Sequence, residues 1–390
     1  MNKKISLGLA ISLIAIASAV TFILTSFFSL QSFNEKVVDV NQKAKKYNSL
    51  QLLDTFIRDN YYGDINEAEL NDGILKGYVD GLGDPYSRYL SEEEYIDEQS
   101  ENAGEIIGLG LTLAEDESGY IRIEQVLENS PAAEVGIVAG DAIIHVDGTD
   151  VTEIGFDEAV ETLKGSEGTS VKLTIRRSGI DTDYDFTRRS IEVTSVTGRL
   201  IDGYIGYIKI DGFKENTSEQ FIELLQRLTS NGAKALVFDL RDNPGGIVTA
   251  LEECLDPLLP EGKIAVADYK DGHSETLVYS DSSELNMPMV VIMNSETASA
   301  AELFAAALKD FDKAQLVGEQ SYGKGVMQST TEFESGGAVV LTVAEYRTVK
   351  SECYDGVGLA PDYPIQNEDV GVDSQLDKAL EIVDEELAEQ

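Results

Sequence analysis

The chain has 390 residues and a formal net charge of −41 at pH 7, from 71 acidic and 30 basic side chains. Its length suits roughly two to four compact units, and its apolar content is ordinary for a globular protein. The negative excess repels phosphate backbones, so the composition argues against a nucleic-acid partner. The two histidines and two cysteines show no metal-like clustering, and we expect no metal or other cofactor.

The N-terminus is basic and then apolar, unlike the rest of the chain. Lys3 and Lys4 precede an uncharged run from Ile5 to Leu30, which as a helix can cross a hydrocarbon core of about 30 Å. A cleaved signal peptide is the alternative, because Ala17–Ala19 resembles a cleavage site. We favour an uncleaved anchor, since the run stays apolar beyond that point. The lysines then predict a single-pass protein of the cell membrane, with residues 1–33 as cytoplasmic start and anchor and the rest extracytoplasmic.

Residues 34–100 are polar and helix-like, and they contain a turn cluster at Gly81–Tyr86. Apolar side chains recur there at helical spacing, in Leu52, Leu53, Phe56 and Ile57. We therefore expect a helical N-terminal arm that brings two copies together as a homodimer.

Residues 101–190 change to short alternating segments that predict a small β-rich domain. One short helix is expected at Phe156–Leu163. The predicted strands include Gly108–Leu113, Tyr120–Ile123, Ala142–Val146 and Val171–Ile175.

Residues 191–370 alternate strands with helices, which predicts an α/β domain. Ala235–Leu240 and Met289–Met293 are nearly continuous apolar runs, typical of buried parallel strands. Helices are expected at 218–230, from about 247, and at 300–309. A charged helix is predicted in residues 371–390.

Cys254 and Cys353 are the two cysteines of the chain. An extracytoplasmic compartment allows one disulfide between them, and two separate buried thiols are the alternative. We assign neither a catalytic role.

The strongest chemical signal is a serine in a small-residue turn before a predicted helix. Ser299 to Glu302 matches the S-x-x-E capping box, so one interpretation is that Ser299 only caps the helix. The other is a nucleophile, since backbone N–H groups at a helix start can hold a developing oxyanion. Because histidine is scarce, a lysine is the expected base.

Lys324 lies between two glycines, which let the backbone approach closely. Burial can lower a lysine pKa enough for it to act as a base, whereas a solvated turn lysine is the alternative. If the segment is a strand, even spacing puts Gln328 on the same face, where its amide orients the amine. Gly318–Lys324 also matches the start of a phosphate-binding loop, but Gly325 replaces the required Ser or Thr, and we expect no nucleotide.

The turn Arg241–Gly246 follows a predicted buried strand. A strand, a tight turn and a helix start form a backbone nest that suits an anion. The alternative is an ordinary β–α turn, for which Asn-Pro-Gly-Gly is well suited.

In order and spacing, these segments together resemble the carboxyl-terminal processing peptidases, also called tail-specific proteases. The resemblance runs from about Val37 to Glu381. It implies an α/β protease core of ββα units, of the crotonase and Clp-protease-like superfamily, with an inserted PDZ domain. The motifs that carry it are Asp84–Ser87, Gly108–Leu111, Ser130–Ala133, Gly140–Ile143, Leu240–Gly246, Thr297–Glu302, Tyr322–Gly325 and Gly358–Asp362.

The resemblance implies a serine endopeptidase of Ser-Lys type, which the predicted anchor would hold at the membrane. Its nucleophile, general base and supporting amide would be Ser299, Lys324 and Gln328. Its oxyanion hole would be two backbone N–H groups, from Gly245 or Gly246 and from Ala300. Asp310 matches an aspartate implicated in some relatives, but its place at a helix end looks exposed, and we leave it outside the site.

Residues 101–190 resemble a PDZ domain, which takes a peptide as an added strand and holds its terminal carboxylate on backbone N–H groups. The matching loop is Leu109, Gly110 and Leu111, and the side-chain pocket would be lined by Val160 and Leu163. Lys164 is a candidate sensor that couples docking to activation. The implied partners are protein or peptide substrates with apolar C-termini, and a purely structural domain is the alternative.

Two places depart from the family pattern. Thr348–Cys353 stands where relatives have a Thr-Pro-Ser-Gly-like turn, so a different loop shape is expected. Asp242 replaces another polar residue and adds negative charge near the oxyanion site. The hypothesis of a different class is a catalytically silent PDZ scaffold at the membrane, which binds peptides without turnover.

Overall fold

The computed structural model describes residues 44–281, 284–334, 336–367 and 371–389. The chain divides into two compact units, Met1–Asn71 and Asp72–Gln390. Over the described ranges, no helix has the length and apolar character needed to cross a bilayer. The predicted anchor in residues 1–33 lies outside them.

In the first unit, residues 44–60 form a helix, here called α1, which lies within the predicted arm. The next helix, α2 (Glu67–Asp80), begins in this unit. An ion pair between Arg58 and Glu67 joins the end of α1 to the start of α2. Helix α1 leaves large apolar side chains exposed to solvent, among them Tyr47, Leu52, Leu53 and Phe56.

A short strand and a capped helix lead from α2 into the β-rich domain. Strand β1 (Arg88–Leu90) is followed by α3 (Glu92–Ala103). Ser91 and Glu94 form a reciprocal capping box at the start of α3, and Gly104 ends it in the left-handed conformation. Strand β2 (Glu105–Gly108) begins directly after this cap.

The β-rich domain is a six-stranded antiparallel sheet with three short helices. Its strands in sheet order are β3 (Leu111–Glu115), β4 (Ile121–Val126), β5 (Ala142–Val146), β7 (Ser170–Arg177) and β8 (Ile180–Thr187), and β6 (Thr149–Asp150) pairs with β5. The helices are α4 (Pro131–Glu134), α5 (Val151–Ile154) and α6 (Phe156–Leu163). Strand β9 (Arg189–Glu192) pairs with β2 where the chain leaves the domain.

The single strand expected at Gly108–Leu113 is wrong, because Leu109 and Gly110 form a turn between β2 and β3. Gly110 has φ of 75°, and a Cβ there would lie 2.2 Å from the Cβ of Ser130. Only glycine fits both the dihedral angle and the space.

The α/β core is a six-stranded sheet, parallel except for its first pair. Its strands in sheet order are β10 (Val196–Ile201), β11 (Ile205–Ile210), β12 (Ala235–Asp239), β15 (Met289–Met293), β16 (Ala314–Gly318) and β19 (Tyr363–Pro364). One face packs on α7 (Thr217–Ser230), α8 (Val248–Leu255) and α9 (Ala300–Asp310), and the other on α10 (Ser374–Glu389). Alternation along β12 explains this, because Leu236 and Phe238 join the first core while Ala235 and Val237 join the second.

A second, antiparallel sheet adds its apolar side chains to the core of α7, α8 and α9. In it β1 pairs with β18 (Ala338–Thr348), which pairs with β13 (Gly262–Tyr269), and β13 pairs with β14 (Ser274–Ser280). Strand β17 (Val326–Glu332) also pairs with β18. A 3-10 turn at Asp256–Leu258 follows α8.

Both cysteines are free thiols, so the alternative of a disulfide is wrong. Cys254 is fully buried in the core on α8, whereas Cys353 is half-buried. The Cys353 thiol lies against the carbonyl of Gly325, 3.4 Å from its oxygen.

Candidate active site

Ser299 occupies a strained turn between strand β15 and helix α9. Its φ of 57° and ψ of −121° are rare for a residue with a side chain. The turn is tied down by Thr297, whose buried hydroxyl donates to the carbonyl of Leu240, and by Ala298, whose N–H donates to the carbonyl of Asn243. Strand-to-helix turns of this kind expose a nucleophile above a parallel sheet.

The capping interpretation of Ser299 describes only the backbone of the turn. The Glu302 carboxylate accepts the Ser299 N–H at 2.8 Å, as a capping box requires. The reciprocal contact of the box, between the Glu302 N–H and the Ser299 side chain, is present in position but does not form an N-cap hydrogen bond. The Ser299 hydroxyl therefore remains available for chemistry.

Glu302 joins the serine turn to the lysine loop. Its carboxylate also accepts the N–H groups of Gly323 and Lys324, at 2.7 and 2.8 Å, and the hydroxyl of Ser321 at 2.5 Å. The side chain is completely buried, and burial raises its pKa above the usual value against the effect of these hydrogen bonds. Sequence reasoning saw Glu302 only as a helix cap, and the S-x-x-E motif was its only signal.

Lys324 is half-buried beside Ser299's turn. Burial lowers its pKa below the ordinary value, and the Arg88 guanidinium acts in the same direction. The carboxylates of Asp84 and Glu302 oppose this shift. The Lys324 ammonium lies over the ring of Tyr86, with Nζ 4.9 Å from the ring centroid. A base with a lowered pKa is what a serine without histidine requires.

The structure does not join Lys324 to Ser299 or Gln328 by a side-chain hydrogen bond, and all three residues are within the described ranges. The segment from Val326 is a strand, but Lys324 precedes it and the register of β17 shifts between Met327 and Gln328, so even spacing does not relate Lys324 to Gln328. The Gln328 amide instead donates to the Thr342 hydroxyl at 3.2 Å. Ser299 and Lys324 thus lie in two loops that Glu302 joins, without a hydrogen bond between their side chains.

The Arg241–Gly246 turn lies against the serine turn. A Cβ on Gly245 would lie 2.7 Å from the Cβ of Ser299 and 2.8 Å from the nitrogen of Ala300. The Gly245 N–H is already used, since it donates to Asn243 Oδ1 at 2.8 Å. The N–H groups of Gly246 and Ala300 donate no hydrogen bond to any residue that the structure describes. They are the donors left for an oxyanion.

Tyr346 is a site residue that sequence reasoning missed. Its buried hydroxyl donates to the carbonyl of Lys324 at 2.6 Å. Burial raises the pKa of Tyr346, and a hydrogen bond from the Ser299 side chain acts against this rise. The tyrosine is one of many apolar and aromatic residues in β18, so the sequence offered no signal for it.

Asp310 lies outside the site, as expected, but it is half-buried rather than exposed. Its carboxylate accepts the Thr348 hydroxyl, and its carbonyl accepts Lys350 Nζ at 2.8 Å. Asp310 therefore holds the loop at residues 348–353, which departs from the family pattern.

Asp242, the second departure from that pattern, exchanges two hydrogen bonds with Asn294. The Asp242 N–H donates to Asn294 Oδ1, and the Asn294 amide group donates to the Asp242 carboxylate.

The turn at Leu109 and Gly110 uses its carbonyl groups and leaves two backbone N–H groups open. The carbonyl of Leu109 accepts from Ala132 and that of Gly110 from Leu127, at 3.2 and 2.9 Å. The N–H groups of Leu109 and Gly110 donate to none of the residues described here. Leu111 follows as the first residue of β3.

Helix α6 supplies the other candidate peptide-binding residues. Leu163 is buried in the domain core and Val160 is half-buried, so Val160 offers more side-chain surface. Lys164 ends the helix, exposed and paired with Glu161 at 2.9 Å. Across the described part of the chain, no group of three His, Cys, Asp or Glu side chains could hold a metal ion.

Comparisons with known proteins agree with this architecture. Residues 204–365 match the model of peptidase family S41, residues 99–176 that of the PDZ domain, and residues 14–94 that of the activating protease CtpB N-terminal domain. The carboxy-terminal processing protease CtpA of Bacillus subtilis is 32% identical over 364 residues, or 93% of this chain and 77% of that protein.

Two further relatives extend the comparison. A carboxyl-terminal-processing protease of Synechocystis is 33% identical over 292 residues, which cover 73% of this chain and 68% of that protein. A solved S41 protease structure from Bacteroides fragilis superimposes with a TM-score of 0.51 at 19% identity, covering 84% of this chain and 91% of that one, and supports the fold alone. This chain belongs to the carboxyl-terminal processing proteases of peptidase family S41, and it is a PDZ-containing serine endopeptidase.

Proposed function

We propose that this chain cleaves proteins that it recognises by their C-terminal tails, with Ser299 as nucleophile and Lys324 as general base. The observation that carries the proposal is the buried Glu302 carboxylate, which accepts the backbone N–H groups of both residues at 2.8 Å. One side chain thereby sets the distance between a strained serine turn and a lysine whose pKa is lowered by burial.

The reaction is an acyl transfer in two steps. Ser299 Oγ attacks the scissile carbonyl carbon while its proton passes to the neutral Lys324 amine, and the N–H groups of Gly246 and Ala300 stabilise the oxyanion. The C–N bond then breaks, and the leaving amine takes the proton from Lys324. Water attacks the resulting ester with Lys324 again as base, which releases the acid and restores the serine.

We infer that the PDZ domain docks the tail and controls the site. The open N–H groups of Leu109 and Gly110 suit a terminal carboxylate, and β3 is an edge strand to which a peptide can add, with Leu111 and Val160 packed on the same core. The absence of a hydrogen bond between the described side chains of Ser299 and Lys324 supports a resting form that docking must rearrange. Lys164 remains our candidate sensor, since the carboxylates of Glu93 and Asp97 on α3 act on its charge as well as Glu161.

We also propose that residues 1–33 anchor the protein in the cell membrane with the protease outside the cytoplasm, and that α1 forms a homodimer. The basic start and the apolar run support the anchor, and the exposed apolar side chains of α1 support the dimer. An anchored chain stays with the membrane fraction after an alkaline carbonate wash. Recovery of the chain in the supernatant contradicts the anchor.

The test of the catalytic proposal is cleavage of an unfolded protein by the full chain, Ser299→Ala and Lys324→Ala. We expect both variants to lose at least about 1000-fold in rate, as removal of a nucleophile or its base does. They should still bind a peptide with an apolar last residue and a free carboxylate, and its amidated form serves as control. Equal residual cleavage in all three proteins contradicts the proposal, and peptide binding without any turnover favours the silent scaffold.

A further inference from the structure

We propose that Tyr86 is a positioning residue for Lys324: its ring holds the protonated ammonium out of contact with Ser299, and the lysine acts as base only after leaving that ring. This inference rests on the proposed role of Lys324. It concerns the segment Asp84–Arg88, which connects α2 to β1 and to which the comparisons give no catalytic function.

The ring is the principal partner of the ammonium. Lys324 Nζ lies 4.9 Å from the Tyr86 centroid, well within the range in which a cation is attracted to an aromatic face. Within the described residues, the same ammonium has no hydrogen bond and no ion pair at contact distance. An ammonium in solvent would be hydrated and would need no aromatic ring beside it. A lysine arranged for catalysis would instead be hydrogen-bonded to the Ser299 hydroxyl.

The position of the ring is fixed by the backbone around it. Asp84 accepts the Tyr86 N–H at 3.1 Å and the Ser87 hydroxyl at 2.5 Å. The Ser87 hydroxyl in turn accepts the N–H of Thr342 on β18 at 3.0 Å. The next residue, Arg88, pairs with Val340 in the same strand. The ring is therefore held by the strand that also carries Tyr346.

The hydroxyl of Tyr86 ties the ring to the lysine loop. Burial raises the pKa of Tyr86 to about 12, and a hydrogen bond with Tyr322 acts in the same direction. Tyr322 is anchored in its turn, since its N–H donates to the carbonyl of Thr297 at 3.0 Å. The phenol thus stays neutral around pH 7.

The charged groups around the Lys324 ammonium shift its pKa in both directions. Arg88 on β1 disfavours the charged lysine, whereas Asp84 and Glu302 favour it. Asp355 and Glu302 also face the Tyr86 hydroxyl. The ring adds a further interaction that exists only with the protonated form, so removing it must favour the neutral amine.

The same segment connects the site to the peptide-docking domain. Strand β1 continues through α3 directly into β2, which borders the PDZ domain. A shift of α3 when a tail docks can therefore pull on β1 and lift the Tyr86 ring from Lys324. This offers a physical route for the control proposed above.

The test compares Tyr86→Leu and Tyr86→Met with Tyr86→Phe, which keeps the aromatic face and loses only the hydroxyl. The pH dependence of kcat/KM for a tail-bearing peptide is measured for each full-length variant. We expect the acid-side midpoint to fall by about 0.5 to 1.5 pH units in Leu and Met, because the charged form loses the ring, and to stay near the unaltered value in Phe. The 13Cε signal of Lys324, identified by its loss in Lys324→Met, should titrate with the same differences.

A merely structural tyrosine would lower activity without moving the midpoint. Midpoints in Leu and Met equal to that of the unaltered chain, by both readouts, overturn the role of Tyr86 while leaving Lys324 as base. Cleavage that persists in Lys324→Met overturns the proposed base itself, whatever the Tyr86 variants do.

Discussion

At the scale of single residues, the site depends on a buried carboxylate that never touches substrate. Glu302 accepts four hydrogen bonds, two on each oxygen, from Ser299, Ser321, Gly323 and Lys324. Glu302 lies in the first turn of α9, where it contacts both the turn of Ser299 and the loop of Lys324. The relative position of Ser299 and Lys324 is therefore set by one side chain.

Glu302→Gln tests this positioning role. The amide nitrogen would face two donors, so we expect the free energy of unfolding to fall by about 2 to 3 kcal/mol. We also expect kcat/KM to fall about 10- to 100-fold, mainly through kcat, since the loops lose their common anchor. Denaturant titration and steady-state kinetics measure the two effects. The matched control is Glu332→Gln on the exposed end of β17, which should change neither, and an unchanged kcat in Glu302→Gln would contradict the role.

The sequence named the candidate residues Ser299 and Lys324 but did not predict the contacts that hold them in place. Ser299 and Lys324 were found because histidine is scarce and because short motifs surround them. The partnership between Glu302 and the loop at 321–324 could not be predicted, since it joins segments about twenty residues apart that only the packed fold brings together. Tyr346 and Tyr86 were missed for the same reason.

At the scale of elements, two turns at the carboxyl ends of parallel strands form the candidate active site. The turn after β12 carries Gly245, and the turn after β15 carries Ser299. Gly245 has φ of 99°, and a Cβ would lie 2.8 Å from the carbonyl oxygen of Ala298. The two turns can pack this closely only because one of them has no side chain at that point.

Gly245→Ala should therefore separate the two turns. We expect a loss of at least about 100-fold in kcat/KM and about 1 to 3 kcal/mol in stability, because both the dihedral angle and the space are unfavourable. The control is Gly212→Ala, whose added Cβ would lie no closer than 3.7 Å to any neighbour. A kcat/KM of Gly245→Ala within about twofold of the unaltered chain would contradict this prediction, because it would show that the two turns can accommodate a Cβ at this position.

Strands and helices of the core were largely predictable, and hairpins were not. The apolar runs at Ala235–Leu240 and Met289–Met293 correspond to β12 and β15, since strands buried on both faces need apolar side chains throughout. The β13–β14 hairpin was missed, because its exposed outer strand carries mostly polar residues. The turn that divides Gly108–Leu113 was also not predicted, since the alternation of apolar and small residues does not reveal that Gly110 has a positive φ.

At the scale of the whole molecule, the arm carries apolar side chains that a monomer leaves in water. Leu52, Leu53 and Phe56 of α1 are each more than half exposed. We expect Leu53→Glu combined with Phe56→Glu to convert a dimer of the full chain into monomers in sedimentation velocity. Leu82→Glu changes an exposed leucine of the second unit and should leave the dimer intact. A monomer in the unaltered chain would contradict the proposed homodimer.

The proposed reaction requires that a covalent bond to Ser299 forms during turnover. The most direct measurement is intact-mass spectrometry of the full chain, acid-quenched early in its reaction with a tail-bearing peptide ester, followed by peptide mapping. We expect an acyl group on Ser299 that is absent from Ser299→Ala and forms far more slowly in Lys324→Ala. An acyl group on another residue, or undiminished turnover in Ser299→Ala, would contradict it.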